Sequence, residues 1–211
     1  MDLKEIAKNL IKGNAATVEE LTRIAINQGI APQKILDEGL IAGMDTVGRK
    51  FKANEIYIPE VLVSAKAMYA GMNVLKPLFV EAGVQYVGKL VIGTAMGDLH
   101  DIGKNLVSVM MEGAGFEVID LGVDISPKKF VGAVKEHNPK IVGMSALLTT
   151  TMLSMKDTIE ALEHENLRDK VIIMVGGAPV TQSYADEIGA DGYADDARTA
   201  IEKAKELLGI E

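Results

Sequence analysis

The sequence predicts an α/β protein in which a four-helix bundle precedes a doubly wound, parallel, five-stranded sheet. Two patterns along the 211 residues support this prediction. Up to about residue 82, apolar residues recur at steps of three and four, which is typical of amphipathic helices. From residue 89, short β-rich runs alternate with helical stretches, which indicates a parallel sheet with helices on both faces. We therefore expect a four-helix domain at 1–83, a linker at 84–88 and an α/β domain at 89–211.

Turn and capping residues predict where the helices of the first domain begin. Thr17, with a glutamate three residues on, is a capping box and predicts the start of the second helix. Pro32 and Pro59 predict the starts of the third and fourth helices, because proline is favoured in the first helical turn. The apolar positions of these two helices are Leu36, Leu40, Met44, Val47 and Phe51, and then Leu62, Ala65, Tyr69, Met72, Leu75 and Phe79.

The second domain contains five candidate strands, each followed by a helical pattern. The strands are predicted at 89–94, 117–121, 141–145, 171–175 and 191–193. The helices are predicted at 102–114, 127–137, 152–165, 181–188 and 196–208. Five such units fit a flavodoxin-like (Rossmann-like) domain, in which ligands bind at the carboxyl ends of the strands near a topological switch point. The residues that directly follow each strand are therefore the candidates for a site.

Composition and charge exclude several classes of partner. The net charge of -8 argues against nucleic acid and anionic membrane, since both require a basic surface. The chain has no Cys, which excludes disulfides and thiolate metal sites. No uncharged run approaches the roughly 18 residues of a membrane span, and the N-terminus does not have the pattern of a signal peptide. We therefore expect a cytoplasmic protein with no nucleic-acid or membrane partner.

The loop after the first predicted strand places a histidine between two carboxylates. Residues 93–103 read GTAMGDLHDIG, which matches neither the P-loop nor the dinucleotide-binding pattern. A histidine that ligates a metal typically donates its other ring N–H to a carboxylate. Asp98 is the candidate for that partner of His100. On these residues alone, a histidine bonded within a surface turn is an equally good interpretation.

Two further strand ends carry unusual residues. The third predicted strand ends at Ser145, and Leu147 and the threonines at 149–151 follow. Their hydroxyls are suited to bonding a ligand or the Asp–His pair. The fourth strand ends in Gly176 and Gly177, whose missing side chains let a flat ligand approach the backbone. The alternative for this glycine pair is a tight turn between strand and helix.

Taken together, these elements resemble the cobalamin-binding domain shared by methionine synthase, several mutases and corrinoid methyl-carrier proteins. The family pattern is D-x-H-x-x-G, then about forty residues, S-x-L, somewhat under thirty residues, and G-G. Asp98, His100 and Gly103 match the first element. The S-x-L at 145–147 and the G-G at 176–177 follow at the family's spacings.

The resemblance extends to the first domain. In methionine synthase and the methyl carriers, a four-helix cap precedes the binding domain and shields the methyl-bearing face of the corrinoid. The stretches GMDTVGRKF at 43–51 and IYIPE at 56–60 are similar to the signature of that cap. The resemblance therefore implies that Met44, Phe51 and Ile58 contact the cofactor.

The family also implies a role for each matching residue of the second domain. His100 would be the lower ligand to cobalt in a base-off corrinoid, with Asp98 as its hydrogen-bond partner and Thr151 completing a relay. The implied cofactor is cobalamin or a related corrinoid, as methylcobalamin or hydroxocobalamin, which brings the cobalt. The further implied contacts, including those to the displaced nucleotide tail, are Leu99, Asp101, Ile102, Gly103, Ser145, Leu147, Thr149, Gly176 and Gly177.

The function implied by the resemblance is that of a methyl carrier, which is not catalytic alone. It would accept a methyl group from a substrate-specific corrinoid methyltransferase and surrender it to a second methyltransferase acting on tetrahydrofolate or a thiol, with a reductive activase as a further partner. The connection at 81–88, with Gly83 and Gly88, is the predicted hinge.

Two alternatives stay open, and the sequence names neither the methyl donor nor the acceptor. A corrinoid-based sensor or regulator typically adds a DNA-binding module, for which we see no segment. The cobalamin-binding subunit of an adenosylcobalamin mutase generally lacks the four-helix cap.

Overall fold

The computed structural model describes residues 2–82 and 85–210, which divide into two compact units. The first unit runs up to Val87 and includes Gly113–Gly115. The second comprises Gly88–Glu112 and the chain from Phe116 onward. The proposed boundaries at 83 and 89 stay a prediction, and the hinge residue Gly83 and its neighbour Val84 lie outside the described residues.

The first unit is helical, as its apolar spacing predicts. Its elements are α1 (Lys4–Ile11), α2 (Ala15–Asn27), α3 (Pro32–Ile35), a π-helical segment (Leu36–Ile41), α4 (Ala42–Lys52) and α5 (Ile58–Ala82). Pro32 lies in the first turn of α3 and Pro59 in the first turn of α5, as predicted. The fully buried side chains that pack these helices together include Ile6, Leu10, Val18, Ile35, Leu40, Val47, Val61 and Leu75.

Two details of the helical unit differ from the prediction. The capping box at Thr17 is wrong, because α2 begins at Ala15 with Asn14 as its N-cap. Two alanines precede Thr17, and alanine is the strongest helix former, so the helix extends through them. The third predicted helix is continuous from Pro32 to Lys52, but its middle segment, Leu36–Ile41, is π-helical.

The second unit is an α/β domain with the predicted alternation of strands and helices. Its elements are β1 (Lys89–Thr94), α6 (Ile102–Gly113), β2 (Glu117–Asp120), α7 (Pro127–His137), β3 (Ile141–Ser145), α8 (Thr149–His164), a 3-10 turn (Arg168–Lys170), β4 (Ile172–Gly176), α9 (Gln182–Ile188), β5 (Gly192–Ala194) and α10 (Ala197–Leu208). All pairings are parallel, and the strand order is β2-β1-β3-β4-β5. This is the flavodoxin-like order, so the predicted fold class is confirmed.

The strand order fixes where a ligand site belongs. β1 pairs with β2 on one side and with β3 on the other. The connection from β1 to β2 and the connection from β2 to β3 therefore cross the sheet in opposite directions, and the switch point lies between β1 and β3. The register pairs Thr94 with Ser145, so the carboxyl ends of β1 and β3 lie at the same level. The loops at 95–101 and 146–148 therefore meet at one edge of the sheet.

One boundary in the second unit matters for the site. Helix α8 begins at Thr149, three residues earlier than predicted. The threonines at 149–151 therefore form the first turn of a helix and do not extend the strand. The side chain of its N-cap residue, Leu148, makes no capping hydrogen bond. A carboxylate from the β1 loop accepts the Leu148 N–H in its place.

Among the residues described, no helix is both long enough and apolar enough to cross a bilayer.

Candidate functional site at the β1–β3 edge

The loop that follows β1 has a fixed conformation. Asp98 N–H donates to the Ala95 carbonyl at 3.0 Å, which closes a turn around Gly97. Gly97 has a φ of 85°, a left-handed conformation that suits glycine. His100 N–H donates to Asp98 Oδ1 at 3.0 Å, as in an Asx-turn. The buried Thr94 hydroxyl donates to the His100 carbonyl at 3.0 Å, so both ends of the loop are held.

The carboxylate of Asp98 is fully buried and is the centre of the site. Its Oδ1 accepts from His100 Nδ1 at 2.7 Å as well as from the His100 backbone. Its Oδ2 accepts from Leu147 N–H at 2.7 Å and Leu148 N–H at 3.2 Å. The Thr151 hydroxyl lies 2.7 Å from the same Oδ2. One carboxylate thus joins the β1 loop, the β3 loop and the first turn of α8.

These contacts set the charge of Asp98. Burial alone would raise the pKa of its carboxyl, but the hydrogen bonds that it accepts, led by the one from Leu147 N–H, outweigh burial. They hold the pKa of Asp98 well below its usual range. Asp98 is therefore ionised at neutral pH and acts only as an acceptor.

The charge of Asp98 fixes the tautomer of His100. Because the carboxylate only accepts, His100 Nδ1 must carry the proton that it donates. In the neutral imidazole, the lone pair then lies on Nε2, which is the form that ligates metals. The side chain of His100 is 52% exposed, and no described residue hydrogen-bonds Nε2. The geometry thus presents one oriented nitrogen ligand at the edge of the sheet.

Apolar side chains from the loop of His100, the start of α6 and the loop after β3 are exposed. Leu99 and Ile102, which flank His100 in the sequence, are 72% and 76% exposed. Leu147 and Leu148, whose amides bind Asp98, are each 43% exposed. Exposed apolar patches rimmed by polar groups mark binding surfaces. This donor set would suit a flat, largely apolar cofactor whose metal ion takes a single nitrogen ligand from the protein, and His100 would supply that nitrogen.

The hydroxyl residues predicted for the site have different positions. Thr151 is buried, and its single hydroxyl proton has two acceptors, Asp98 Oδ2 at 2.7 Å and the Leu148 carbonyl at 2.8 Å. Ser145 is half-buried at the end of β3, and Thr149 is exposed on α8. In the part of the chain that the structure describes, neither of these last two side chains hydrogen-bonds Asp98.

The glycines of the motif have different surroundings. A Cβ on Gly177, whose φ is 119°, would lie 1.9 Å from the Ala146 carbonyl oxygen. A Cβ on Gly176 would lie 2.7 Å from the Ala194 carbonyl oxygen. The protein's own backbone therefore requires both glycines, which is a reason that the sequence does not reveal. Apart from its chain neighbours and the backbone of its own helix, a Cβ on Gly103 would meet no atom of the described residues within 4 Å, so the space beside it is open.

The remaining predicted contacts divide between the two units. Asp101 is half-buried and accepts from Asn105 Nδ2 at 3.0 Å at the start of α6. In the helical unit, Met44 is buried, Phe51 is half-buried and Ile58 is exposed.

Two groups that hold the site were missed at the sequence level. The Leu148 N–H is a backbone donor, and backbone donors leave no signal in a sequence. Asp124, from the loop after β2, accepts from Gly97 N–H at 2.7 Å. Its position in the loop that follows a strand was a usable signal.

Comparison with known proteins identifies the family. Models of the B12 binding domain match residues 88–202 and residues 2–76. The dimethylamine corrinoid protein of Methanosarcina barkeri is 46% identical over 207 residues, which cover 98% of this chain and 97% of that protein.

Two crystal structures are similar over nearly the whole chain. A cobalamin-binding protein from Desulfitobacterium hafniense DCB-2 has a TM-score of 0.76 at 33% identity, with 98% of both chains covered. A chain of the methanol:cobalamin methyltransferase complex MtaBC from Methanosarcina barkeri has a TM-score of 0.89 at 32% identity, with 97% of this chain and 78% of that chain covered. With both units matched by B12 binding domains, this chain belongs to the family of corrinoid proteins.

Proposed function

We propose that this protein carries a methyl group on the cobalt of a bound corrinoid between two methyltransferases, with His100 Nε2 as the lower axial ligand. The observation that carries the proposal is the oriented imidazole. Its Nδ1 donates to a buried, ionised carboxylate, and its Nε2 is left without a partner among the described residues. Exposed leucine and isoleucine side chains from the loop of His100, the start of α6 and the loop after β3 suit the flat, apolar face of a macrocycle.

The chain's own residues orient and tune the ligand. When bound, the corrinoid supplies a cobalt that accepts and releases a methyl group. Asp98 fixes the imidazole in one tautomer and orients its ring, and Thr151 donates to the same carboxylate. A change in ligation at Nε2 would therefore alter the hydrogen bonds that Asp98 accepts, including those from the first turn of α8.

The other predicted contacts belong to the same proposal. We infer that Leu99, Ile102 and Leu147 contact the macrocycle, and that Phe51 and Ile58 supply apolar surface to the cofactor. Gly103 borders open space, which suits the displaced nucleotide tail. Because Gly176 and Gly177 are packed against the backbone of neighbouring segments, they are assigned to shaping the strand ends. Contacts from Met44, Asp101, Ser145 and Thr149 stay predictions.

The proposed partners are a substrate-specific methyltransferase, a second methyltransferase using tetrahydrofolate or a thiol, and a reductive activase. A relative at 46% identity over nearly its full length is named as a dimethylamine corrinoid protein. This supports dimethylamine as the first methyl donor to test. The matching chain from a methanol:cobalamin methyltransferase complex supports physical association with a methyltransferase.

The test is reconstitution of the purified protein with hydroxocobalamin. We compare the wild type with His100→Ala and with His164→Ala, a matched control whose histidine is exposed on α8. The absorbance spectrum of a corrinoid with histidine on cobalt is expected for the wild type and for His164→Ala, and its loss is expected for His100→Ala. Methyl transfer is then assayed with dimethylamine and its methyltransferase, using tetrahydrofolate and a thiol as alternative acceptors.

Each result decides one part of the proposal. Failure of the wild type to take up a corrinoid would refute the whole proposal. Uptake with identical spectra for wild type and His100→Ala would retain the cofactor and remove His100 as its ligand. Stable binding without methyl transfer to either acceptor, across a panel of methyl donors, would favour the sensor alternative.

A further inference from the structure

A second loop holds the His100 segment from the side opposite β3. It follows β2, and its residue Ile125 forms a parallel bridge with Ala95. Asp124 Oδ1 accepts from Gly97 N–H at 2.7 Å, and Asp124 N–H donates to the Asp98 carbonyl at 3.0 Å. Asp124 therefore forms hydrogen bonds on both sides of the peptide bond that joins Gly97 to Asp98, the residue whose carboxylate binds His100.

Asp124 and Gly97 both have left-handed backbone conformations. The φ of Asp124 is 53° and that of Gly97 is 85°. Glycine adopts this conformation freely, whereas aspartate does so at some cost. An unfavourable backbone conformation persists only where the surroundings enforce it, and such residues cluster at functional sites.

The loop after β2 is held in place by an ion pair between Asp120 and the buried side chain of Lys104. Asp120, the last residue of β2, accepts from Gly122 N–H at 2.8 Å through Oδ1. Its Oδ2 forms an ion pair with Lys104, whose side chain is buried and also donates to Asn105 Oδ1 at 2.7 Å. The Gly122 carbonyl in turn accepts from Thr94 N–H at 3.0 Å. The loop that carries Asp124 is thus anchored to α6 and to β1.

We propose that Asp124 is a positioning residue for the His100–Asp98 pair. Its carboxylate holds the Gly97 amide, and this fixes the backbone from which Asp98 presents Oδ1 to His100 Nδ1. Asp124 does not touch the imidazole, and so it acts through Asp98. The inference rests on the proposed function, in which His100 ligates cobalt.

Three substitutions separate the possible contributions of Asp124. Asp124→Asn keeps the side-chain acceptor and a residue tolerated in the left-handed region, but removes the charge. Asp124→Gly keeps the backbone conformation and its N–H, but removes the acceptor. Asn138→Gly is the matched control, because Asn138 is also left-handed, with a φ of 46°, and ends α7. Since glycine suits these conformations, each variant is expected to fold, and a thermal melt followed by circular dichroism checks this.

Two readouts report on the imidazole. In the apo protein at pH 8, nitrogen NMR of ¹⁵N-labelled histidine reports which ring nitrogen of His100 carries the proton. In the protein reconstituted with hydroxocobalamin, titration followed by absorbance gives the affinity and the fraction with histidine on cobalt. For Asp124→Gly we expect mixed tautomers and about a 10-fold loss of affinity, as for other outer-sphere partners of a metal ligand. Asp124→Asn and Asn138→Gly should stay within about 2-fold of the wild type, because both keep the hydrogen bond to Gly97.

The outcomes separate this inference from the proposed function. A wild-type tautomer and affinity in Asp124→Gly would overturn the positioning role. Equal losses in Asp124→Asn and Asp124→Gly would also overturn it, because charge rather than the hydrogen bond would then be responsible. If His100→Ala leaves the spectrum unchanged while Asp124→Gly still disturbs the apo tautomer, the proposed ligand fails and the positioning of His100 stands.

Discussion

The two units present their proposed cofactor residues in different ways. In the α/β unit, His100 is oriented by directed hydrogen bonds to a buried, ionised Asp98, which is itself held by two backbone amides and a hydroxyl. In the helical unit, Phe51 and Ile58 are apolar side chains on helices that pack through buried aliphatic residues. Hydrogen bonds select one geometry, whereas apolar packing tolerates changes that conserve volume. We therefore expect that replacing a single atom in the α/β site changes stability or corrinoid ligation, and that truncating an apolar side chain in the helical unit changes them less.

The largest expected effect is that of Gly177→Ala, which places a methyl group against the backbone of the β3 loop. The added Cβ would lie 1.9 Å from the Ala146 carbonyl oxygen, at a φ of 119°. Overpacking and backbone strain should together reduce the free energy of unfolding by about 3 kcal/mol, as measured by urea denaturation.

Gly103→Ala is the control for this substitution. No atom of the described residues outside its own helix and chain neighbours lies within 4 Å of its Cβ position. The apo variant should therefore be as stable as the wild type or gain up to about 1 kcal/mol. Equal stability losses in the two variants would contradict the assignment of Gly177 to backbone packing.

Asp98→Asn should have the next largest effect. The amide cannot accept at both positions, so either its NH₂ group opposes the Leu147 and Leu148 N–H donors or it loses the bond from His100. Loss of hydrogen bonds to a buried charge is expected to cost about 2–3 kcal/mol. Urea denaturation at pH 7 measures this loss, and the midpoint for His-on/His-off conversion of the reconstituted protein should shift as well.

Asp98→Asn should also change how the stability of the protein depends on pH. Because the folded-state pKa of Asp98 is lowered, its ionised form stabilises the protein at every pH above about 4, where the unfolded carboxyl also ionises. That contribution disappears as the pH falls below about 4 towards the folded-state pKa. The wild type should therefore lose stability in this range more steeply than Asp98→Asn. Parallel curves of stability against pH would contradict the ionised, hydrogen-bonded state of Asp98.

Thr151→Val tests a single hydroxyl and should have a smaller effect. Valine keeps the shape of threonine but cannot donate to Asp98, whose other hydrogen bonds remain. We expect a loss of about 1 kcal/mol in thermal or urea denaturation and weaker corrinoid binding. Thr151→Ser, which keeps the hydroxyl, should retain most of both properties. If valine and serine behave alike, the hydroxyl has no part in holding Asp98.

Ile58→Ala, in the helical unit, should have the smallest effect on the fold. Ile58 is 41% exposed at the start of α5, so its truncation should cost no more than about 0.5 kcal/mol. The spectrum that reports histidine on cobalt should not change, because the ligand is held in the other unit. A lost His-on spectrum in this variant would break the contrast between the two units.

The sequence predicts the sheet more fully than the site. The apolar runs of β1 and β3 have the predicted ends, and a hydroxyl residue, Thr94 or Ser145, closes each run. The proximity of Asp98 and His100 was also expected from the loop sequence, and that of Thr151 from the family resemblance. The early start of α8 was not, because its N-terminus is capped by Asp98 from another loop and not by a local side chain. Such long-range contacts are invisible to local patterns.

The measurement that tests the central claim most directly is electron paramagnetic resonance of the reconstituted protein with the cobalt reduced to its paramagnetic cobalt(II) form. An axial ¹⁴N ligand splits each cobalt line into three, and an axial ¹⁵N ligand splits it into two. With protein labelled with ¹⁵N only in histidine, we predict that the triplets become doublets, and that His100→Ala loses this splitting while His164→Ala keeps it. Triplets that persist in the labelled protein, or doublets that survive in His100→Ala, would contradict His100 as the lower ligand.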